Sequence, residues 1–244
     1  MPRSPFASII VPVLNESSSI VACLERLAAM RRAGAEVIVV DGGSADESVT
    51  LATPLCDRVV SSERGRAVQM NRGAAVARGD VLLFLHADTQ LPTNADRFLD
   101  AFTISDKAWG RFDVRLSGRR RLFRVVAWFM NTRSRLSGIA TGDQGIFVRR
   151  TVFEDLGGYR PLPLMEDVEL CRRLRRISRP FCIHTPVVTD SRRWEQNGAW
   201  RTIVLMWRLR WRYWRGADPV DLAQAYRSEV RRRKTQSIRE VDAP

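Results

Sequence analysis

Three short apolar runs in this chain break off at polar or acidic residues. Ser8–Leu14 ends in Asn15-Glu16, Glu36–Val40 in Asp41-Gly42-Gly43, and Asp80–Leu85 in His86-Ala87-Asp88. Short runs without alternation read as strands buried on both faces. A helix follows the first run to about Arg32, with Ile20, Leu24 and Leu27 on one face, and Gly65 to Ala77 reads as another. Ser44 and Glu47 stand at capping-box spacing and predict a helix start between them. Arg58–Ser61 is a short strand, and later strands are predicted at Arg111–Leu116, Gly145–Arg149 and Phe181–Ile183. Strands alternating with helices predict an α/β fold, a mostly parallel sheet flanked by helices on both faces.

In open α/β sheets the ligand lies outside the carboxyl ends of the strands. The polar tips are therefore candidate ligands. Asp88 either holds a divalent cation against a diphosphate, since hard cations take oxygen ligands, or caps the next turn. Asp41 precedes two glycines, where the backbone turns tightly. It either accepts a hydrogen bond from a nucleobase imide or ribose hydroxyl, or is a plain turn residue. Gly65-Arg66 opens a helix whose N-terminus can meet phosphate; otherwise Arg66 is a solvated arginine. Carboxylates gathered at one edge repel one another unless a cation or donors compensate.

The net charge of +13 over 244 residues calls for an anionic partner. Cys23, Cys56, Cys171 and Cys182 form no C-x-x-C pair and read as buried reduced thiols of a cytosolic protein. Nothing at the N-terminus resembles a signal peptide, and no apolar stretch is long enough to span a membrane. The expected location is cytoplasmic, with peripheral attachment to the inner membrane as the alternative.

Five segments carry a resemblance. Ile10-Val11-Pro12-Val13-Leu14-Asn15-Glu16, Val39-Val40-Asp41-Gly42-Gly43-Ser44, Gly65-Arg66-Ala67 with Met70-Asn71 and Gly73, and Leu85-His86-Ala87-Asp88-Thr89 are similar to family 2 glycosyltransferases of the GT-A fold. Gly157-Gly158-Tyr159 followed by Met165-Glu166-Asp167-Val168-Glu169-Leu170 resembles that family's acceptor-side segment. The likeness covers roughly residues 7 to 195. It implies a nucleotide-sugar donor of the UDP type, a divalent metal (Mn2+ or Mg2+), and inversion at the anomeric carbon. It places Pro12, Leu14, Glu16 and Asp41 in the nucleoside pocket, Arg66 near phosphate, Asp88 on the metal and Asp167 as general base.

The departures from the family pattern are informative. His86 stands where the first Asp of D-x-D would be, and it either ligates the metal, hydrogen-bonds a sugar or fills space. Asp41-Gly42-Gly43 replaces Asp-Asp-Gly. Asp190-Ser191-Arg192-Arg193-Trp194 keeps Arg-Trp but lacks the Gln of the processive Q-x-x-R-W. That argues for a non-processive enzyme, with Arg192 or Arg193 reaching the diphosphate and Trp194 beside them. The His-Ala-Asp form resembles a compact bacterial subgroup linked to arsenosugar-type small-molecule glycosylation; a lipid-linked acceptor at the membrane is the rival. Asp143 and Gln144 suit sugar hydroxyls or form a turn without function. Glu166 is either an acceptor contact or a cap.

On a helix from Met165 to Ile177, the expected buried stripe is Leu170, Cys171, Leu174 and Ile177, with Asp167 near its centre and Glu166 off it. His184 is expected to be a satisfied structural histidine. The expected organisation is a glycosyltransferase domain over residues 1–195, with a nucleotide-sugar half at about 1–105 and an acceptor half at about 106–195, then a helical extension over 196–244. In that extension Trp200, Ile203, Val204, Trp207, Trp211 and Trp214 share one helical face. Leu205, Leu209 and Tyr213 take the far side, and Arg201, Arg208, Arg212 and Arg215 run between. Such a helix either docks on its own domain or also meets an anionic membrane surface. Arg119 to Met130 is a second basic, aromatic-rich segment. A nucleotidyltransferase, the remaining alternative on such a sheet, is disfavoured, because it calls for a glycine-rich loop after strand one and Pro12-Val13-Leu14-Asn15-Glu16 has no glycine. No nucleic-acid motif appears, so nucleic acid is not an expected partner.

Overall fold

The apolar runs form the centre of one sheet. β1 (Ala7–Val13) pairs in parallel with β2 (Glu36–Asp41), and β2 with β3 (Arg58–Ser61). On its other side β1 pairs in parallel with β4 (Val81–Phe84). β5 (Thr89–Gln90), β6 (Trp109–Leu116), β7 (Ile146–Arg149) and β8 (Phe181–Thr189) complete the order β3-β2-β1-β4-β7-β6-β8-β5. β7 runs antiparallel to both neighbours and β5 antiparallel to β8, so the sheet is mixed but mostly parallel. The computed structural model describes residues 5–192, 195 and 198–229. Its chain divides into two units, Met1–Pro161 with Glu166–Asp190, and Leu162–Met165 with the chain from Ser191 onward.

Helices α1 (Ile20–Arg32), α2 (Ser48–Ala52), α3 (Arg66–Val76), α4 (Ala95–Ile104), α5 (Arg121–Ser137), α6 (Arg150–Asp155) and α7 (Glu166–Ile177) cover the sheet of the first unit. Alternation along the strands sorts two cores. Ile9, Val11, Val37 and Val39 pack with Leu24 and Leu27 of α1 and Leu99 and Phe102 of α4. Ile10, Ile38 and Val40 pack with Met70 of α3, Phe153 of α6 and Leu170 and Leu174 of α7. Each fully buried side chain of this size contributes about 1.5–3 kcal/mol, so the central strands hold their tips in place.

The structure adjusts several expectations. The Ser44–Glu47 capping box does not form. α2 begins at Ser48 without a side-chain cap, and the Ser44 hydroxyl instead accepts the Asn15 N–H at 2.9 Å. The strand from Phe181 runs on to Thr189, because a bulge opposite Phe112/Asp113 lets Val187 and Val188 continue pairing with β6. Ile177 is exposed, at the last turn of α7 where the stripe leaves the core. His184 is exposed as well, which removes its structural reading. The four cysteines are free; Cys182 is only partly buried.

The second unit carries α8 (Ala199–Trp214). No helix among the described residues is long and apolar enough to cross a membrane.

The close approach of α3 to the sheet depends on Gly73. A Cβ there would lie 2.5 Å from Ile10 Cγ2 and 2.9 Å from Val40 Cγ2. Overpacking of this kind costs about 1–3 kcal/mol. Gly73→Ala is expected to lower unfolding free energy by that amount in urea titration. An unchanged midpoint would show that α3 can ride higher.

Candidate functional site

The parallel register brings the strand tips to one edge: Val13 pairs with Asp41, and Ile10 with Phe84. Gln69 of α3 clips two of these strands together. Its amide donates to Val13 O at 2.8 Å and to Val40 O at 2.9 Å. Asn15 turns the chain with a positive φ of 55°. Its Oδ1 accepts the Ala45 N–H at 2.8 Å, knitting the loops after β1 and β2.

Asp41 is buried, and its carboxylate accepts the Gly43 and Ser44 N–H groups at 3.1 Å. These bonds set its turn and still leave acceptor capacity. Pro12, Leu14 and Glu16 are half-buried. Glu16 accepts the Ser19 hydroxyl at 2.7 Å, and its N–H donates to Ser48 Oγ at 2.7 Å. Ser48 also donates to Asp46, whose carboxyl is held well below the ordinary range chiefly by that bond. Burial, reinforced by the Asp88 and Glu16 carboxylates, pushes the Cys23 thiol up to about 12. Both acids therefore lie within electrostatic reach of one buried sulfur.

After β4 the chain turns tightly, with the Thr89 N–H donating to His86 O at 3.0 Å. Asp88 is half-buried, and Thr89 Oγ1 donates to its Oδ1 at 3.2 Å. His86 Nδ1 lies 3.4 Å from Asp143 Oδ1. The His86 ring packs so tightly on Gly142 that a Cβ there would lie 2.5 Å from Nε2. The Gly142 N–H donates to Asp167 Oδ2 at 2.9 Å, and Asp167 Oδ1 accepts the Val168 N–H at 2.7 Å. His86, Gly142 and Asp167 are thus stacked through one backbone segment.

Arg66, first residue of α3, is open to solvent. Surrounding protein disfavours its charge, yet Glu166, Asp143, Asp167 and Asp88 together hold its pKa above the ordinary value. Arg66 is therefore the cation within electrostatic reach of all four carboxylates at the strand-tip edge. Glu166, buried at the start of α7, is driven upward by that burial and by Asp167, against the pull of Arg66 and His86. This reverses the expected burial order. Asp167 is the half-buried member, because its carboxylate turns to the Gly142 N–H, and Glu166 is the buried one.

Beneath the pair lies Tyr159, buried edge-on against Phe84, its phenol pushed far up by burial and by Cys171, Asp167 and Glu166. Asn71 binds Tyr159 N and O at 2.8 Å each. Arg173 donates to Leu156 O, Gly158 O and Glu169. Helix-face counting does not reveal Gln69, Asn71 or the Arg173 clamp, because their partners are distant backbone atoms. The signal for Gln69 was a polar residue on the apolar side of α3.

Of the two readings of Gln144, the structure bears on the turn. The residue is buried, donating to Ser134 Oγ at 3.0 Å and accepting the Thr141 N–H at 3.3 Å, so its amide belongs to the fold rather than to a sugar. Arg192 belongs to the second unit and is exposed. Arg193 and Trp194 lie outside the described residues.

Among the described residues, no group of three or more His, Cys, Asp or Glu side chains is placed to hold a metal by itself. The donor set fits a shared ion instead. Mg2+-type ions bind through one or two carboxylates plus substrate phosphates, and Asp88 offers one such carboxylate with spare lone pairs.

Residues 8–157 match glycosyl transferase family 2, and the chain belongs to that family. A PGL/p-HBAD biosynthesis glycosyltransferase of Mycobacterium bovis (strain BCG / Pasteur 1173P2) is 38% identical over 95 residues, 36% of this chain and 37% of that protein. The chain thus spans little over a third of that relative's length. S. aureus TarS 1-349 in complex with UDP-GlcNAc superposes with a TM-score of 0.62 at 18% identity, over 76% of this chain and 58% of that one. Glucosyl-3-phosphoglycerate synthase from Mycobacterium tuberculosis, in complex with Mn2+, UDP and glucosyl-3-phosphoglycerate, superposes with a TM-score of 0.57 at 18% identity, over 76% of this chain and 70% of that one. These likenesses establish the shared GT-A-type fold.

The raised Glu166 pKa makes stability depend on pH. A carboxyl raised in the folded state favours its neutral form, so its contribution is complete below the ordinary Glu range. It is lost as pH rises through the raised value. Wild type is therefore expected to lose melting temperature relative to Glu166→Gln as pH rises above the ordinary Glu range. Parallel melting profiles of the two proteins would contradict the buried-pair electrostatics.

Proposed function

We propose that this chain is a non-processive, inverting glycosyltransferase moving a sugar from a UDP-type nucleotide-sugar to a hydroxyl acceptor, with metal assistance. The observation that carries the reading is the accessible Asp167 carboxylate. It is oriented by the Gly142 N–H and lies, with Asp88 and Asp143, within electrostatic reach of Arg66. A sugar hydroxyl is a weak nucleophile, so a positioned carboxylate must take its proton as the oxygen attacks. Asp167 receives the proton, the acceptor oxygen bonds the anomeric carbon, and the bond to the diphosphate breaks with inversion. Glu166 is the member of the pair that burial drives toward its protonated form, which leaves Asp167 as the base.

Pro12, Leu14, Glu16 and Asp41 are the proposed nucleoside side of the cleft, and residues 1–105 its donor half. Arg66 faces the negative charge that grows on the leaving diphosphate. Asp88 is the proposed anchor of Mn2+ or Mg2+, which when bound neutralises that charge. His86, paired with Asp143, is assigned here to a positioning role rather than to ligation, and Asp143 to the sugar or acceptor hydroxyls. The UDP donor and Mn2+ are supported by the ligands of the two structural neighbours. A small-molecule acceptor is the first reading. A lipid-linked acceptor is the second, favoured by the exposed tryptophans of α8.

The test is release of UDP from a panel of UDP-sugars with Mn2+, offered small polyols and lipid-linked acceptors in parallel. Asp167→Asn should lose at least ~10² in turnover with donor affinity nearly intact. Retained turnover there, with the loss appearing in Glu166→Gln, would move the base one residue back.

A further inference from the structure

The face of α8 that looks to solvent is apolar. Trp200, Val204, Trp207, Trp211 and Trp214 are each between 56% and 79% exposed. At 3.6 residues per turn they fall within about 40° of one line along the helix. The opposite side of the helix carries Thr202 and Leu209, which are buried. A single exposed tryptophan is unremarkable, but a continuous row marks a surface that meets something other than water.

The charges beside the row select the partner. Arg201, Arg208 and Arg215 are exposed along one flank, and the Arg215 guanidinium sits 5.0 Å from the Trp211 ring centroid. No Asp or Glu occurs from Ala199 to Ala217. A second copy of the chain, packed antiparallel stripe to stripe, would set arginine rows against arginine rows with no acid of either helix to neutralise them. A nucleic-acid surface would be met by arginines at the centre of the face, whereas here tryptophans hold the centre and arginines the edge. Indole rings rest at the headgroup level of a bilayer, with arginine stems reaching sideways to the phosphates.

We propose that α8 is an interfacial helix that binds the chain reversibly to an anionic lipid surface. Its tryptophan row enters the headgroup layer and its arginines contact the lipid phosphates. α5, in the other unit, carries a second patch of the same chemistry. Val125, Trp128 and Phe129 are about half exposed or more, beside exposed Arg121 and Arg124. The proposal does not depend on sugar transfer, since its readout is lipid binding alone.

The full chain is sedimented with vesicles of phosphatidylcholine alone and of phosphatidylcholine with about a third phosphatidylglycerol. The protein should pellet only with the anionic vesicles, with a blue shift of tryptophan emission. It should be released at about 1 M salt, where the screening length is about 3 Å. The double variant Arg201→Glu/Arg208→Glu should bind at least about twentyfold more weakly, from two headgroup contacts of about 1 kcal/mol each. Trp207→Ser/Trp211→Ser should abolish the blue shift while keeping the melting temperature, because both rings are exposed in the fold. Four results would overturn the proposal: no pelleting at low salt, pelleting indifferent to the tryptophan changes, a dimer that the tryptophan changes dissociate, or tighter binding to a DNA duplex than to vesicles.

Discussion

The electrostatic balance around Arg66 governs the rest of the cleft. Asp88 arrives from the end of β4, Asp143 from the turn before β7, and Glu166 and Asp167 from the first turn of α7. Like charges about 4 Å apart near a protein surface repel by about 4 kcal/mol, so such a gathering persists only around positive charge. Arg66 supplies it, from a helix that Gly73 lets settle onto the sheet. Burial pushes Glu166 toward its neutral form and relieves the remaining crowding. Under the proposed function, a bound diphosphate would answer the guanidinium and a metal ion the carboxylates.

Packing far from the cleft sets this balance. The parallel strands end together because their apolar residues fix both faces, and Gln69 ties Val13 to Val40 where they end. Asn71 and Arg173 hold the Gly158-Tyr159 turn under the acidic pair. Two non-glycine residues among those described carry positive φ, Asn15 shortly after β1 and Met165 directly before α7. Backbone strain of this sort is concentrated where structure is spent on function.

What could be read in the residues divides along physical lines. The central strands and their polar tips were legible, since a doubly buried strand needs an unbroken apolar run and its end is marked where the run stops. The outward tryptophan row of α8 was legible too, because it follows from helical period alone. The capping box failed because Ser44 was claimed by the Asn15 N–H, a partner 29 residues away that no local spacing reveals. The burial order of Glu166 and Asp167 was missed for a related reason. A stripe computed along a helix axis ignores that a first-turn side chain can swing to the Gly142 N–H of another element. Gln144 suits a sugar contact or a plain turn by type, and the structure holds it as an internal brace to Ser134 and Thr141.

The central claim is that the strand-tip acids and Arg66 form a cleft for a nucleotide diphosphate completed by a metal on Asp88. Thermal denaturation with UDP, with and without Mn2+, tests it most directly. At ligand a hundredfold above its dissociation constant, binding should stabilise the wild type by about 2.7 kcal/mol. That gain should need Mn2+ and vanish in Asp88→Ala. An Asp88→Ala protein stabilised by UDP and Mn2+ as strongly as wild type would contradict the account.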